Sequence, residues 1–270
     1  MSPLEQQIKH KIEAVGTPLE KWDIRIYRGV LTGLNEAFII NSATKDTLIA
    51  ADPRSAEIIR PILRGRDIKR YAYDFADLWI IFTQTGDAST PAVEIENYPA
   101  IKEHLDKYYL KLETRQDQGI TPYHLRRCAY TDDFSKQKIA WGNLSLDAQY
   151  TWVSDDFIIN NPSNFIVSAD KYLLGILNSK LADFYIRSLG VTRNGGYFEY
   201  KPMFVEKLPV PQIDSAKRKP YIELVDRILT LKSNGESSIQ EEIELEALVF
   251  SLYGLTDDEA EYIKCGSSLQ

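Results

Sequence analysis

Apolar spacing predicts a buried helix followed by a polar turn between Lys171 and Tyr200. From Lys171 to Leu189, apolar side chains recur three and four positions apart, as in a helix with one buried face. These residues are Tyr172, Leu173, Ile176, Leu177, Leu181, Phe184 and Tyr185. Gly195 and Gly196 then supply the positive φ angles of a tight turn before a strand-like run that ends at Tyr200. The sequence therefore predicts polar side chains held at the tip of a turn by a buried helix.

Helical spacing also occurs near both ends of the chain. Ile8, Ile12 and Val15 form a short amphipathic pattern, and we interpret residues 1–18 as a tail or linker helix. The apolar spacing around Pro61 is helical, although a proline disfavours the interior of a helix. The further predicted helices are Ser55–Leu63, Tyr98–Gln116, Lys217–Lys232 and Ser238–Tyr253, with a capping box at Thr256–Glu259 before a last short helix.

Strand-like runs lie between the helical segments. The apolar run Leu78–Phe82 is typical of a strand buried on both faces, and Asn160–Ser163 is typical of a polar turn. The predicted strands are Trp22–Tyr27, Ala37–Ile40, Tyr71–Phe82, Lys138–Trp141, Thr151–Val153 and Asn164–Val167. This mixture predicts an α+β fold with a mixed sheet, flanking helices and a helical C-terminal segment.

Composition indicates a globular chain with an uneven distribution of charge. A length of 270 residues with 44% hydrophobic side chains is enough for a sizeable core. We expect a soluble, cytoplasmic protein because no apolar run approaches a membrane span and no signal peptide is recognisable. Of the net charge of −7, residues 214–270 hold 12 acidic and 6 basic side chains, which leaves 27 acidic and 26 basic in residues 1–213. The acidic C-terminal helices are therefore expected to pack on the rest of the protein and not to bind a polyanion.

The sequence contains no complete catalytic motif. None of its 14 glycines forms a GxG arrangement, and Asn161–Ser163 lacks the second proline and the aromatic residue of an adenine methyltransferase motif. Asp67–Lys69 and Glu199–Lys201 match only half of a metal-dependent nuclease motif, and such triplets are common by chance. Cys128 and Cys265 are interpreted as free thiols without a zinc site.

The histidines give weak signals. His10 and His104 fall on predicted helices, where a solvated face is the expected environment. His124 lies in a predicted loop before two arginines, and it is interpreted either as an ordinary loop residue or as a contact to phosphate or base.

Three basic segments are candidates for contact with nucleic acid. The first, within Ile58–Tyr71, is either a solvated face or a clamp for phosphates, since clustered cations near a turn can follow a nucleic-acid backbone. The second is the loop with two adjacent arginines, and the third is the glycine turn, where arginine suits guanine and asparagine suits adenine. The candidates are Arg60, Arg64, Arg66, Lys69, Arg70, Arg126, Arg127, Arg193, Asn194, Gly195, Gly196, Tyr197 and Lys201.

Four ordered blocks resemble one known family. They are RIYRGVLTGLNEAFII (Arg25–Ile40), IIRPILRGRDIKRY (Ile58–Tyr71), ILNSK through the glycine turn to KLPVP (Ile176–Pro211), and LEALVFSLYGLTDDE (Leu245–Glu259). Together they are similar to the TaqI-like C-terminal specificity domains of type IIG restriction-modification enzymes, which are adenine-specific DNA methyltransferases. The resemblance implies a target-recognition domain that reads duplex DNA while a separate methyltransferase domain performs the chemistry.

The resemblance also implies a division of the chain and of its cofactors. Residues 1–18 would be a linker helix, residues 19–213 the target-recognition domain and residues 214–270 a helical segment. The chain itself would be non-catalytic, with S-adenosylmethionine, and Mg²⁺ where the parent also cleaves DNA, bound by other domains of the parent. Two alternatives remain open: an assembly module that binds protein subunits of a DNA-modification complex, and a metal-dependent nuclease at Asp67, Glu199 and Lys201.

Overall fold

The computed structural model describes residues 1–86, 90–168 and 170–266, and it has an α+β fold. The helices are α1 (Pro3–Val15), α2 (Asn35–Phe38), α3 (Ser42–Ala51), α4 (Pro99–Asp106), α5 (Tyr109–Thr114), α6 (Lys171–Leu177), α7 (Lys180–Arg187), α8 (Pro202–Val205), α9 (Ser215–Ser233), α10 (Ile239–Leu252) and α11 (Asp257–Gly266). The strands are β1 (Thr17–Pro18), β2 (Ile26–Arg28), β3 (Ile39–Asn41), β4 (Ile59–Leu63), β5 (Ile68–Lys69), β6 (Ala72–Tyr73), β7 (Leu78–Ile81), β8 (Lys138–Trp141), β9 (Leu144–Ser145), β10 (Tyr150–Val153), β11 (Ile158–Ile159), β12 (Asn164–Val167), β13 (Phe198–Glu199) and β14 (Pro209–Val210).

A four-stranded antiparallel sheet lies at the centre of the molecule. Its strand order is β10-β8-β12-β2, and every residue of β8 is buried. Ile139 and Trp141 point into one hydrophobic core, whereas Ala140 points into another, as the two-residue period of a strand requires. The central sheet therefore contributes one face to each of two cores, and its strand β8 is buried on both faces.

The first core is helical and contains the C-terminal segment. Helix α6 packs on β10 of the central sheet, and helices α7, α9, α10 and α11 pack around it and on one another. Their apolar residues form one cluster with Ile139, Trp141, Tyr150 and Ile166 of the sheet. Ile8 and Ile12 of α1 are fully buried in the same core, whereas Val15 is exposed. The amphipathic pattern near the N-terminus is thus a docked helix, and the acidic C-terminal helices pack on the body of the protein.

The second core is built around a mixed sheet. In the order β11-β4-β7-β3, β11 and β4 are parallel and the other pairs are antiparallel. Helices α3 and α4 pack with this sheet, and Leu112 of α5 is buried there as well. Ala140, Val153 and Phe165 of the central sheet close the core from the opposite side. The two sheets consequently share one core, which fixes their relative position.

Several predicted boundaries need correction. The predicted helix Ser55–Leu63 is wrong: a 3₁₀ turn over Pro53–Glu57 is followed by β4, whose Ile59 pairs with Ile81 of β7. Pro61 disfavours a helix interior, the β-branched isoleucines favour a strand, and pairing with β7 in the sheet decides the outcome. The predicted strand at Ala37–Ile40 is in part wrong because α2 extends to Phe38 and only the following residues form β3.

Two long predicted helices are each divided in two. Tyr98–Gln116 becomes α4 and α5, separated at Lys107 and Tyr108. The second break lies at Asn178, whose carboxamide accepts from the Tyr150 backbone N–H and donates to its C=O, both at 2.9 Å. Ser179 then caps α7 by accepting from the Ala182 N–H at 3.1 Å. An asparagine that pairs with a neighbouring strand thus ends one helix and lets the next begin.

The acidic face of α10 is used for docking. Glu242 accepts a 2.8 Å hydrogen bond from the Arg70 Nε, and the Arg70 guanidinium also donates to the Asn178 carbonyl. Glu246 accepts from the Lys180 N–H at 2.9 Å, at the positive N-terminal end of α7. These carboxylates fix α10 to the body. Among the described residues no helix has the length and apolar character of a membrane span.

We expect Arg70→Ala to destabilise the fold and the adjacent Lys69→Ala to leave it nearly unchanged. The Arg70 side chain is 30% exposed and its ion pair with Glu242 is partly buried, so its loss should lower the free energy of unfolding by about 1–3 kcal/mol. Lys69 is exposed and, among the described residues, donates only to the Arg66 carbonyl, so its loss should cost less than about 0.5 kcal/mol. Urea unfolding of both variants measures the difference. Equal stability of the two variants would contradict the docking role of Arg70.

Candidate nucleic-acid interface

An open cleft of about 850 Å³ lies between the central sheet and the mixed sheet. It brings together residues from parts of the chain that are far apart in sequence. Its lining includes Arg64, Arg66, Lys69, Leu144, Leu146, Gln149, Asn160, Asn161 and Tyr197. Three cations of the first basic segment and Tyr197 of the glycine turn thus line one cleft, which we call the central cleft.

Two glycines form the floor of the central cleft. Gly65 follows β4 and Gly142 follows β8, so a strand from each sheet ends there. A Cβ on Gly142 would lie 3.2 Å from the Gly65 carbonyl oxygen, and a Cβ on Gly65 would lie 3.1 Å from the Ser163 Oγ. The absence of side chains lets the two backbones approach closely and leaves the space above them open.

Arg64 and Asp67 form a buried framework beneath the basic segment. The Arg64 guanidinium donates to both Asp67 carboxylate oxygens, at 2.9 and 2.7 Å, and the Arg64 N–H donates to the same group at 2.8 Å. Burial alone would raise the pKa of Asp67, but the hydrogen bonds from Arg64 and its positive charge outweigh burial and lower it. Asp67 therefore remains a carboxylate and holds the turn between β4 and β5.

Arg66 and Lys69 are the cations of this segment that face solvent. Both are exposed, and the Lys69 ammonium donates to the Arg66 carbonyl at 2.9 Å. Within the described ranges the Arg66 guanidinium has no hydrogen-bond or ion-pair partner. Charged groups in this state remain available to an external anion.

Tyr197 of the glycine turn forms part of one wall of the central cleft, whereas Gly195 and Gly196 line a neighbouring cleft together with Leu146 and Arg187. Gly195 and Gly196 have φ angles of 77° and 81°, which confirms the predicted positive values. The Arg193 N–H donates to the Tyr197 carbonyl at 2.6 Å and closes the turn. The strand after the turn, β13, pairs with β9, so the turn stands beside Leu144, which is exposed.

The charges of the glycine turn are largely paired within it. Glu199 lies 3.1 Å from the Arg193 guanidinium and 2.6 Å from the Lys201 ammonium. Hydrogen bonds from Lys201 and Arg193 lower the pKa of Glu199. The turn therefore presents to solvent the exposed Tyr197 ring and the Asn194 amide, which has no partner among the described residues, more than free positive charge.

Arg187 of the buried helix α7 supports this wall. Its Nε donates to both Asp183 carboxylate oxygens at 3.1 Å, and its other nitrogens donate to the carbonyls of Gly196 and Leu146. Tyr200 also donates to Asp183. Burial raises the pKa of Asp183 even though Arg187 opposes the rise. One guanidinium thus joins the helix to Leu146, the residue after β9, and to Gly196 in the turn before β13.

A second, smaller cleft lies across a backbone seam from the central cleft. It has a volume of about 260 Å³ and is lined by Arg28, Arg126 and Arg127. The seam consists of hydrogen bonds from the Val30 N–H to the Ile159 carbonyl, at 2.7 Å, and from the Asn161 N–H to the Val30 carbonyl, at 3.1 Å.

The cations of this arginine cleft differ in their partners. Arg126 pairs with Asp117 at 3.1 Å. Arg28 and Arg127 are exposed and have no ion-pair partner among the described residues. The second basic segment, with Arg126 and Arg127, therefore lies across the seam from the central cleft.

Arg60 and Arg70 do not line either cleft. The Arg60 guanidinium donates to the carbonyls of Asp155 and Asp156 at 3.2 and 3.0 Å, close to the buried ammonium of Lys138, which donates to the same turn. Arg70 is held by α10, as described above. The structure therefore divides the five cations of the first basic segment into three at the central cleft and two bound to the protein itself.

The remaining candidate chemistry has protein partners. His104 is buried rather than solvated, and its Nε2 lies 3.0 Å from the Ala37 carbonyl. His124 is also buried, with Nε2 2.7 Å from the Val93 carbonyl and Nδ1 2.6 Å from the Thr121 hydroxyl. Within the described part of the chain no three His, Cys, Asp or Glu side chains are grouped as metal ligands.

Sequence reasoning missed several residues at these clefts. Arg28 ends a strand and has no basic neighbour in the next positions that would single it out. Asn160 and Asn161 were interpreted as part of a polar turn and Gln149 was not singled out, but all three line the central cleft. No local signal identifies them because their position depends on contacts between distant strands.

Comparison with known proteins gives a matching family and similar solved structures. The sequence model of the TaqI-like C-terminal specificity domain matches residues 60–210, more than half of the chain. The structure of the type IIL restriction-modification enzyme MmeI in complex with DNA is similar over 93% of this chain and 36% of that one, with a TM-score of 0.69 and 19% identity. The type IIG restriction endonuclease BpuSI is similar over 93% of this chain and 33% of its own, with a TM-score of 0.55 and 16% identity.

These similarities have defined limits. At such identities the two structures establish a shared fold, and this chain spans about a third of the length of each. No curated protein matches the sequence.

We expect Asp67→Asn to lower stability at neutral pH because it weakens the Arg64 framework beneath the central cleft. The loss should be about 1–3 kcal/mol. The pKa of Asp67 is lower in the folded protein, so the stabilisation is present above the ordinary pKa near 4 and is lost as the pH falls through the lower folded value. Urea unfolding at pH 7 and at successively lower pH should show the difference from wild type shrinking below about pH 4.

The exposed Asp74, on the same segment, is the matched control. Asp74→Asn should leave stability within about 0.5 kcal/mol of wild type. A difference between Asp67→Asn and wild type that stays constant across acidic pH would contradict the proposed role of the carboxylate.

Proposed function

Because the chain belongs to the family of TaqI-like C-terminal specificity domains, we propose that it recognises a specific duplex DNA site for a restriction-modification enzyme. The observation that carries the proposal is that Arg64, Arg66 and Lys69 line one open cleft together with Tyr197 of the glycine turn, and that Arg126 and Arg127 line the neighbouring arginine cleft across the seam. We propose that these two clefts and the glycine turn together form the surface that contacts DNA. MmeI, which has a similar fold, was solved in complex with DNA, and this supports the same ligand class here.

The division of labour within the surface follows from the partners of each side chain. Arg66, Lys69, Arg127 and Arg28 are exposed cations suited to phosphate oxygens, which set position and register without reading sequence. The glycine turn, with Asn194 and Tyr197 exposed, is suited to base edges because its backbone can enter a groove.

Affinity of the isolated chain is expected to be modest. Its net charge is −7, and several of its candidate cations are already paired with carboxylates, including Arg64, Arg126, Arg193 and Lys201. Phosphate neutralisation supplies most of the non-specific affinity of DNA-binding proteins. We propose that the parent protein contributes further cationic surface around the duplex.

The chemistry of the parent enzyme is a separate part of the proposal. By analogy with the type IIG relatives, a methyltransferase domain that binds S-adenosylmethionine would modify adenine, and a Mg²⁺-dependent nuclease domain would cut the DNA where one is present. This chain would hold the duplex while the catalytic domain extrudes the target base.

The assembly-module alternative retains one supporting observation. Ile239 and Ile243 lie one turn apart on α10 and are 67% and 58% exposed, beside a groove that contains Lys180 and Lys264. Such a pair is suited to contact with another protein domain. A domain contact on α10 and DNA recognition at the clefts are compatible, since the two surfaces share no lining residue.

Selection from a random duplex DNA library at low salt, using the full chain, tests the proposal directly. Enrichment of a short motif is the expected result. Binding without enrichment would mean that specificity requires other domains of the parent, whereas no binding at low salt would overturn the proposal in favour of the assembly module.

We expect Arg66→Ala and Arg127→Ala each to weaken DNA binding in a salt-dependent way. Removal of one phosphate contact should reduce the slope of log K against log salt concentration by about 1. Fluorescence anisotropy of a labelled duplex between low and physiological salt measures the slope.

Two control variants separate DNA contact from structural effects. Lys219→Ala, on α9 and outside both clefts, should leave the slope unchanged. Arg60→Ala should lower stability without changing the slope, because its guanidinium is bound to backbone carbonyls. Equal slopes for wild type and the Arg66 and Arg127 variants would contradict phosphate contact by these residues.

A further inference from the structure

Three carboxamide side chains without protein partners line the central cleft. They belong to Gln149, Asn160 and Asn161, and within the described ranges none of their side-chain amides forms a hydrogen bond. Asn160 is only 8% exposed as a residue, yet its amide reaches the open cleft, since neither of its amide atoms is among the fully buried side-chain atoms without a partner. A carboxamide that no protein group engages and that reaches an open cleft is available to a ligand there.

The backbone around these amides is held on several sides. The Asn160 N–H donates to the Leu63 carbonyl at 2.9 Å, and its carbonyl accepts from Ser163 at 3.0 Å. The Asn161 N–H donates to the Val30 carbonyl at 3.1 Å. Gln149 precedes Tyr150, whose backbone N–H and C=O both bond to Asn178 at 2.9 Å. The amides therefore project from fixed backbone positions, which reduces the entropy lost when they bind a ligand.

The chemistry of a carboxamide matches one base edge in particular. A carboxamide offers a donor and an acceptor side by side, and the major-groove edge of adenine offers an acceptor at N7 and a donor at its N6 amino group. Guanine offers two acceptors there and is better matched by arginine or lysine. In the central cleft the amides stand together with Arg66 and Lys69, so amide and cation chemistry are both present.

We propose that Gln149, Asn160 and Asn161 form an adenine-reading site in the central cleft, which contacts the major-groove edge of an A·T base pair in the recognised DNA. The inference rests on the proposed function, since it assigns part of the base specificity to residues of that surface. It also distinguishes these amides from the exposed cations, which act on phosphates.

The first experiment compares the selected motifs of wild type, Gln149→Ala and Asn161→Ala. Both residues are only partly buried, so these variants are expected to fold. Asn160 is buried beside the seam, so its replacement would also disturb the packing around the backbone hydrogen bonds there. We expect preference for A·T to fall by roughly 5- to 150-fold at one or two positions of the motif, with the other positions unchanged. Gln240→Ala, which removes an exposed amide on α10, is the matched control and should reproduce the wild-type motif.

The second experiment places 7-deazaadenine at the selected adenine, which removes the N7 acceptor. Wild type should lose affinity for the modified duplex by a similar factor, whereas the variant that lacks the contacting amide should bind modified and unmodified duplexes equally. This coupling separates a direct base contact from a change in protein structure.

The possible results distinguish the inference from the function on which it depends. A wild-type chain that binds no DNA overturns the proposed function. A wild-type motif without A·T pairs overturns the adenine-reading site alone. The same holds if the variants keep the wild-type motif and bind it more weakly at all positions, because the amides would then contact phosphate or support the cleft.

Discussion

Burial of both faces of the central sheet is the constraint on which the remaining structure depends. Alternate residues of β8 enter the helical core and the mixed-sheet core, so neither core is complete without this strand. A sheet shared in this way cannot shift relative to either core without exposing apolar surface to water. The cleft between the two sheets therefore has a fixed width, and groups on opposite walls keep their separation.

The central cleft forms where strands from the two sheets end. Gly65 and Gly142 bring the ends of β4 and β8 into backbone contact, and polar residues that follow strands collect around them. The glycine turn is fixed independently, through Arg187 and its pairing with Asp183 on a buried helix. A recognition surface built on these rigid supports is suited to reading a ligand by geometry.

The partners of the basic residues, and not their number, decide which of them are available to an external ligand. Arg64 is engaged by a buried carboxylate and Arg70 by the acidic helix α10, and Arg60 binds backbone carbonyls. Arg66, between them in sequence, is exposed and unpaired within the described residues. Neighbouring cations of similar character in the sequence therefore have different roles, because each role depends on the partner that the fold provides.

The sequence by itself determined the α+β class, the buried helical segment, the positive φ angles at Gly195 and Gly196 and the family, because these depend on local spacing, residue type and ordered motifs. It did not determine that Ile59–Leu63 forms a strand, that Asn178 divides a predicted helix in two, or that His104 is buried. Each of these features follows from contacts with distant residues. The tertiary structure also decided which polar residues share a cleft. Gln149 and Asn160 line the same cleft as Arg66 only because strands from two sheets end at one place, and no local sequence pattern predicts this.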